Sequence, residues 1–132
     1  MAAPRFPDAE TVLVQMLDGV GGAYACTIVP EENEWDELLP IIAVKRIGGG
    51  TDDGITDRAL CAVLVIHRDR HSAFNLAEDV RQMILDAGRT SVNGVLIDST
   101  SEVTGNQEVS DIDLDNRVID ASYYLDFRRP RF

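Results

Sequence analysis

Three clusters of reactive residue types stand out in the sequence. The first is His67 and His71, with Cys61 upstream. Two histidines four apart on one helix can share a metal ion, but here they bracket a strand-to-helix junction with no glutamate motif or third ligand beside them. On an extended strand Cys61 and His67 lie roughly 20 Å apart at ~3.3 Å per residue, far beyond the reach of a thiol–imidazole hydrogen bond. A solvated turn is expected. The second is Asp111-Ile112-Asp113-Leu114-Asp115-Asn116, which has the opening spacing of a calcium loop. Asn116 stands where such a loop needs glycine, and Ser122 where it needs a bidentate glutamate. An acidic soluble loop is expected, with weak divalent-ion binding as the alternative. The third is Gly48-Gly49-Gly50, followed by Thr51, Asp52 and Asp53. A phosphate-cradling loop needs Gly-Lys-Ser/Thr opening a helix, whereas two aspartates here would repel phosphate. The run reads as a flexible hairpin tip. No catalytic, metal-binding or cofactor-binding set emerges, and no cofactor is expected.

Periodicity gives the elements that position these residues. Ala9, Val12, Leu13, Met16 and Val20 form one apolar stripe on a helix from about Pro7 to Leu17. Pro7 suits its first turn, and Asp8 and Glu10 suit its positive end. Gly19, Gly21 and Gly22 stop it. A strand is expected over Tyr24–Val29, and another over the apolar run Leu38–Ile47, with Pro40 at its start or on a free edge. Residues 48–54 read as a loop. Thr56–His67 predicts a strand with apolar residues on both faces, hence central and covered on both sides. Ala73, Leu76, Ala77, Val80, Met83 and Ile84 line a helix over Ser72–Ala87, with Ser72 as N-cap and Gly88 just past its end. Asn93-Gly94 signals a tight turn before a strand over Val95–Val103. Residues 104–116 form a polar, acidic connection. In the last strand, about Arg117–Phe127, Ile119, Ala121, Tyr123, Leu125 and Phe127 share one face. The order predicts an α+β fold: a mostly antiparallel sheet of about five strands with two helices packed on one face.

The chain has 132 residues, enough for a single domain, here with a basic C-terminal arm at 128–132. Twelve Lys and Arg against 23 Asp and Glu give a net charge of −11, and Lys45 is the only lysine. Gripping nucleic acid needs clustered cations, so that class is disfavoured. No run approaches the ~18 apolar residues of a membrane span, and the first residues lack a secretory apolar stretch. Cys26 and Cys61 sit in apolar runs and read as buried free thiols, which suits a reducing interior. Trp35 stands among Glu34, Asp36 and Glu37. Its ring either folds back on the local core or anchors a protein–protein contact, where tryptophan is enriched. Arg128, Arg129, Arg131 and Phe132 are either an ordinary chain end or an arm for an acidic neighbour, which could be another copy of this chain.

The block Leu39-Pro40-Ile41-Ile42-Ala43-Val44-Lys45-Arg46-Ile47-Gly48-Gly49 and the aspartate-rich loop after it carry a resemblance. So do Ala73-Phe74-Asn75-Leu76-Ala77-Glu78-Asp79-Val80-Arg81 and the aromatic closing strand Ala121–Arg128. Together they resemble the tail terminator proteins of long-tailed bacteriophages, most nearly those of actinobacterial phages. The resemblance spans nearly the whole chain but not the acidic segment 104–116. It implies a sheet backed by two helices and a homohexameric ring that caps the tail tube, ends its polymerisation and offers a surface for docking the head. The implied partners are the major tail tube protein, the head–tail connector or neck proteins, and double-stranded DNA that passes the lumen without specific binding. No membrane and no enzymatic reaction are implied. The implied place is the head-proximal end of the virion tail, after synthesis in the host cytoplasm.

Geometry permits such a ring. A domain this size has a radius near 18 Å, and six touching spheres leave a hole roughly 36 Å across. Within that picture Gly48, Gly49, Gly50, Asp52, Asp53, Asp111, Asp113 and Asp115 are expected on axial loops. Trp35 and the arginine arm are candidate interface residues. Another head–tail neck adaptor is the alternative, followed by a small-molecule-binding α+β protein.

Overall fold

The structure, a computed structural model, describes residues 5–109 and 117–129. Helix α1 spans Ala9–Leu17 and buries Ala9, Val12, Leu13 and Leu17. Its N-cap is Asp8, whose carboxylate accepts from the Glu10 N–H at 3.0 Å and the Thr11 hydroxyl at 3.1 Å. Pro7 therefore precedes the helix instead of occupying its first turn. After a 3-10 turn at Val20–Gly22 comes strand β1, Tyr24–Cys26, shorter than expected. A second 3-10 turn, Glu32–Glu34, runs into a four-residue helix α2, Trp35–Leu38, which periodicity did not anticipate.

Strand β2 covers Ile41–Gly50 and begins directly after Pro40, as the missing N–H requires. The three glycines thus belong to a strand and not to a loop. A bulge between Arg46 and Gly48 shifts the register, and Gly48, Gly49 and Gly50 pair with Leu60, Ala59 and Arg58. Gly49 has φ +85°, and a Cβ there would lie 1.9 Å from the Arg58 carbonyl oxygen, so only glycine fits. Strand β3 is Thr56–Ile66 and helix α3 is Arg70–Asp86. The β4–β5 hairpin, Thr90–Val92 with Val95–Ile97, closes through Asn93 (φ 47°) and Gly94 (φ 82°), the left-handed pair that a tight hairpin turn needs. The expected strand over 95–103 is therefore two. It leaves the hairpin at Asp98 and enters the main sheet as β6, Ser99–Glu108, well into the stretch read as a connection. Strand β7, Val118–Arg128, closes the described chain.

The sheet order is β1-β2-β3-β7-β6, with β1 parallel to β2 and the other neighbours antiparallel. Cross-strand rows Ile42–Val65–Ile119, Val44–Val63–Ala121 and Arg46–Cys61–Tyr123 lie on one face. Their apolar members share a core cluster with the stripes of α1 and α3. The alternation expected in the last strand is what is found, with Ile119, Ala121, Tyr123, Leu125 and Phe127 all buried. The opposite face is different. At one end Trp35 caps Ile41, Ile66 and Val118 in a second small cluster. Beyond that, Leu60, Ala62 and Leu64 remain half-buried. Strand β3 is central, but it is not covered on both sides along its length.

The start of α3 also corrects the sequence reading. Its N-cap is Asp69, which accepts from the Ser72 N–H at 2.8 Å and the Ser72 hydroxyl at 3.2 Å. These bonds hold the Asp69 carboxyl below its ordinary 3.8. A carboxylate whose pKa is depressed in the folded state contributes stability above its unfolded pKa and loses it as pH falls through the folded value. The difference in melting temperature between the natural chain and Asp69→Ala is thus expected to be full at pH 6–7 and to vanish in strong acid. A difference that persists in acid would show that the cap bonds do not carry it.

Candidate assembly surfaces

At the sheet edge beside α1, carboxylates of that helix and of its C-cap residue occupy two of the outward N–H groups. Strand β1 pairs with β2 only over Ile41–Ala43, so both strands have N–H groups that no neighbouring strand meets. The Asp18 carboxylate accepts from Ala25 N–H at 3.1 Å, and the Glu10 carboxylate accepts from Arg46 N–H at 2.9 Å. Side-chain bonds of this kind make an edge a poor template for an added strand. The Arg46 guanidinium turns inward, with Nε on the Gly48 carbonyl at 3.1 Å and both Nη atoms on Asp57 at 2.6 and 2.8 Å. Asp57 is only 5% exposed, and its hydrogen bonds to the guanidinium, reinforced by its charge, raise the Arg46 pKa above the usual arginine value.

Beside this edge the uncovered sheet face forms a concavity of about 560 Å³. Ala43, Lys45, Ala62 and Leu64 of the outer sheet face line it together with Thr27, Ile28 and Val29, and Val44 and the Glu10 carboxylate complete its rim at the sheet edge. Ile28 is 81% exposed. Across the same face toward β7 the rows turn polar, as in Lys45–Ala62–Ser122 and Gly50–Arg58–Asp126. Arg58 lies 4.2 Å over the Tyr124 ring and 3.6 Å from Asp126.

The β2–β3 tip, residues 51–55, is tightly built. Asp53 Oδ1 accepts from the Ile55 and Thr56 N–H groups at 2.9 and 3.0 Å, and the Thr51 hydroxyl accepts from Gly54 N–H at 2.9 Å. Those bonds hold the Asp53 carboxyl below its ordinary range. Asp52 is exposed without a hydrogen bond or ion pair among the described residues, in a shallow depression that Arg58 and Tyr124 also line, and Ile55 is 60% exposed.

Trp35 is 2% exposed and its Nε1–H donates to the Pro30 carbonyl at 2.9 Å, with the Arg117 guanidinium 5.3 Å over the ring. The indole is folded back into the subunit, the first of its two readings, and is not displayed as a contact anchor. Arg128 pairs with Asp98 at 3.3 Å, and Arg129 lies 5.1 Å over Phe6. The described part of the arm is thus held by its own subunit. Arg131, Phe132, Asp111, Asp113 and Asp115 lie outside the described residues.

The reactive groups are muted or dispersed. Cys61 is fully buried and its thiol is pushed up to about 11 by desolvation; burial also raises half-buried Cys26. His67 accepts from Arg68 N–H at 2.9 Å and is held below its ordinary value by desolvation, while His71 contacts Asn75 on α3 at 3.2 Å. Among the described residues no three His, Cys, Asp or Glu side chains are placed to share a metal, and no helix is long and apolar enough to cross a membrane. The edge-closing roles of Glu10 and Asp18 had no signature in the sequence. Lys45 did have one: it is the sole lysine, set in the most apolar run.

A family model described as phage tail termination protein matches residues 5–132. Chains of solved structures match the fold as well. One comes from "Virion of native gene transfer agent (GTA) particle", with a TM-score of 0.55 over 91% of this chain and 94% of that one. At 10% identity that likeness is one of fold. A search of curated proteins finds no match.

Proposed function

The chain belongs to the phage tail termination protein family, whose members are structural components of phage virions, and on that premise we propose that it caps the tail tube as a ring of six copies. In this reading the ring halts tube growth and presents the surface on which the filled head docks. The observation that carries it is the family match across nearly the entire chain. The work is steric: no step of it breaks or forms a covalent bond.

Several features of the molecule support this reading. A ring built from one chain needs two different complementary patches per subunit, since a head-to-tail contact closes only by rotation. A terminator must also refuse the next tube subunit. The Asp18 and Glu10 carboxylates that occupy Ala25 N–H and Arg46 N–H suit such a refusal, because an incoming strand would first have to displace them. A net charge of −11 suits a lumen that lets DNA slide, since phosphate is held by cations. The basic arm is assigned to a neighbouring subunit or the head connector, with Arg128 and Arg129 first leaving Asp98 and Phe6.

The test is the length of tails assembled without this protein. Electron microscopy is expected to show tubes several times longer than normal and without heads. Tubes of normal length that fail to join heads would overturn termination and favour the neck-adaptor reading instead.

A further inference from the structure

We propose that neighbouring copies join by inserting the β2–β3 tip of one subunit into the concavity of the next, with Ile55 against its apolar lining and Asp52 beside Lys45. The proposal rests on the ring reading above and names the contact that would build it. It moves Asp52 from an axial face to the contact between copies.

The concavity opens to solvent. Ala62 and Leu64 are half-buried by their own sheet, and Ile28 stands almost free in water. Exposed apolar surface grouped in this way marks a contact site. Its volume, about 560 Å³, admits a branched aliphatic side chain together with the turn that carries it. The charge at the site selects the occupant. A chain of net charge −11 repels its own copies unless a cation sits at the contact. Arg46, Arg58, Arg68, Arg70, Arg81 and Arg128 are already paired inside the subunit, and the exposed Arg5 and Arg89 do not line the concavity. Lys45 is exposed in the concavity with no partner among the described residues, whereas the one carboxylate in the same lining, Glu10, is already engaged by the Arg46 N–H at 2.9 Å. The tip offers the complement: Asp52, likewise unpartnered there, three residues before the exposed Ile55. Asp53 fixes the turn, so little freedom is lost when the tip docks. Tip and concavity are different patches of one chain, as a head-to-tail ring demands.

The experiment is a charge exchange in the full chain, read by sedimentation and native mass spectrometry, alone and on purified tail tubes. Lys45→Asp and Asp52→Lys are each expected to weaken self-association about tenfold or more, as for close charge pairs across interfaces. The double variant is expected to recover most of the loss, and Ile55→Asp to abolish assembly. All three positions are exposed, and unchanged circular dichroism checks that each variant folds. Single reversals without effect, or a double variant that does not recover, would overturn the contact while leaving the ring intact. Should Lys45→Asp weaken tube binding but not self-association, the concavity belongs to the tube protein and this proposal fails. If the natural chain stays monomeric both alone and on tubes, the ring reading fails with it.

Discussion

Replacing Arg46 by alanine is expected to destabilise the fold by about 3–5 kcal/mol, the usual cost of removing one partner from a buried ion pair. The two sides of the pair are unequal. The Asp57 side chain is 7% exposed and that of Arg46 33%. Without Arg46 a carboxylate is left in the interior with neither of its guanidinium donors. Without Asp57 the guanidinium still reaches water and the Gly48 carbonyl, so Asp57→Ala is expected to cost only roughly half as much. The double replacement is expected to be less damaging than Arg46→Ala alone, because no stranded charge remains. For a domain of this size each kcal/mol moves the melting temperature by roughly 3–5 °C. Urea unfolding of the three variants measures the cycle. Equal costs for the two single variants would show that the carboxylate is hydrated in solution.

The second large effect is expected at Trp35. The ring covers Ile41, Ile66 and Val118 at the one end of the outer sheet face that has cover. Trp35→Ala opens a cavity there and releases the Pro30 carbonyl, for an expected loss of about 3–5 kcal/mol. Trp35→Phe keeps most of the apolar contact and forfeits chiefly the Nε1–H bond, about 1 kcal/mol. As the only tryptophan, Trp35 reports its own environment by fluorescence: emission at short wavelength in the folded chain, moving to the red on unfolding. The competing role at an interface predicts the reverse pattern for Trp35→Ala, with stability kept and assembly lost.

These two sites show where sequence reading succeeds and where it stops. Strict alternation in β7 and the stripe Ala73, Leu76, Ala77, Val80 and Ile84 on α3 translate directly into buried faces, because burial enforces the period, whereas Met83, read on the same stripe, lies at its edge and is exposed. Glycine runs carry the opposite bias. Gly48–Gly50 look like a loop, yet the bulge after Arg46 needs a residue at Gly49 that only glycine supplies. Strand β6 gives almost no apolar signal, since an edge strand of Ser, Thr, Glu and Gln is exposed along most of its length. Helix α2 is four residues among carboxylates, held by one indole, and too short for any period. The apolar residues on both faces of β3 predict double cover. The structure leaves half of one face bare, and that bare half, beside Lys45, is the surface on which the assembly contact is argued.

In the proposed function this chain stops a growing tube by seating a ring of its own copies on the tube's end. The direct measurement is polymerisation of purified tail tube protein with and without the chain, imaged by electron microscopy over time. About six copies per tube are expected to fix its length, with a ring visible at one end. Tubes that keep lengthening at the same rate, with both ends bare, would contradict it.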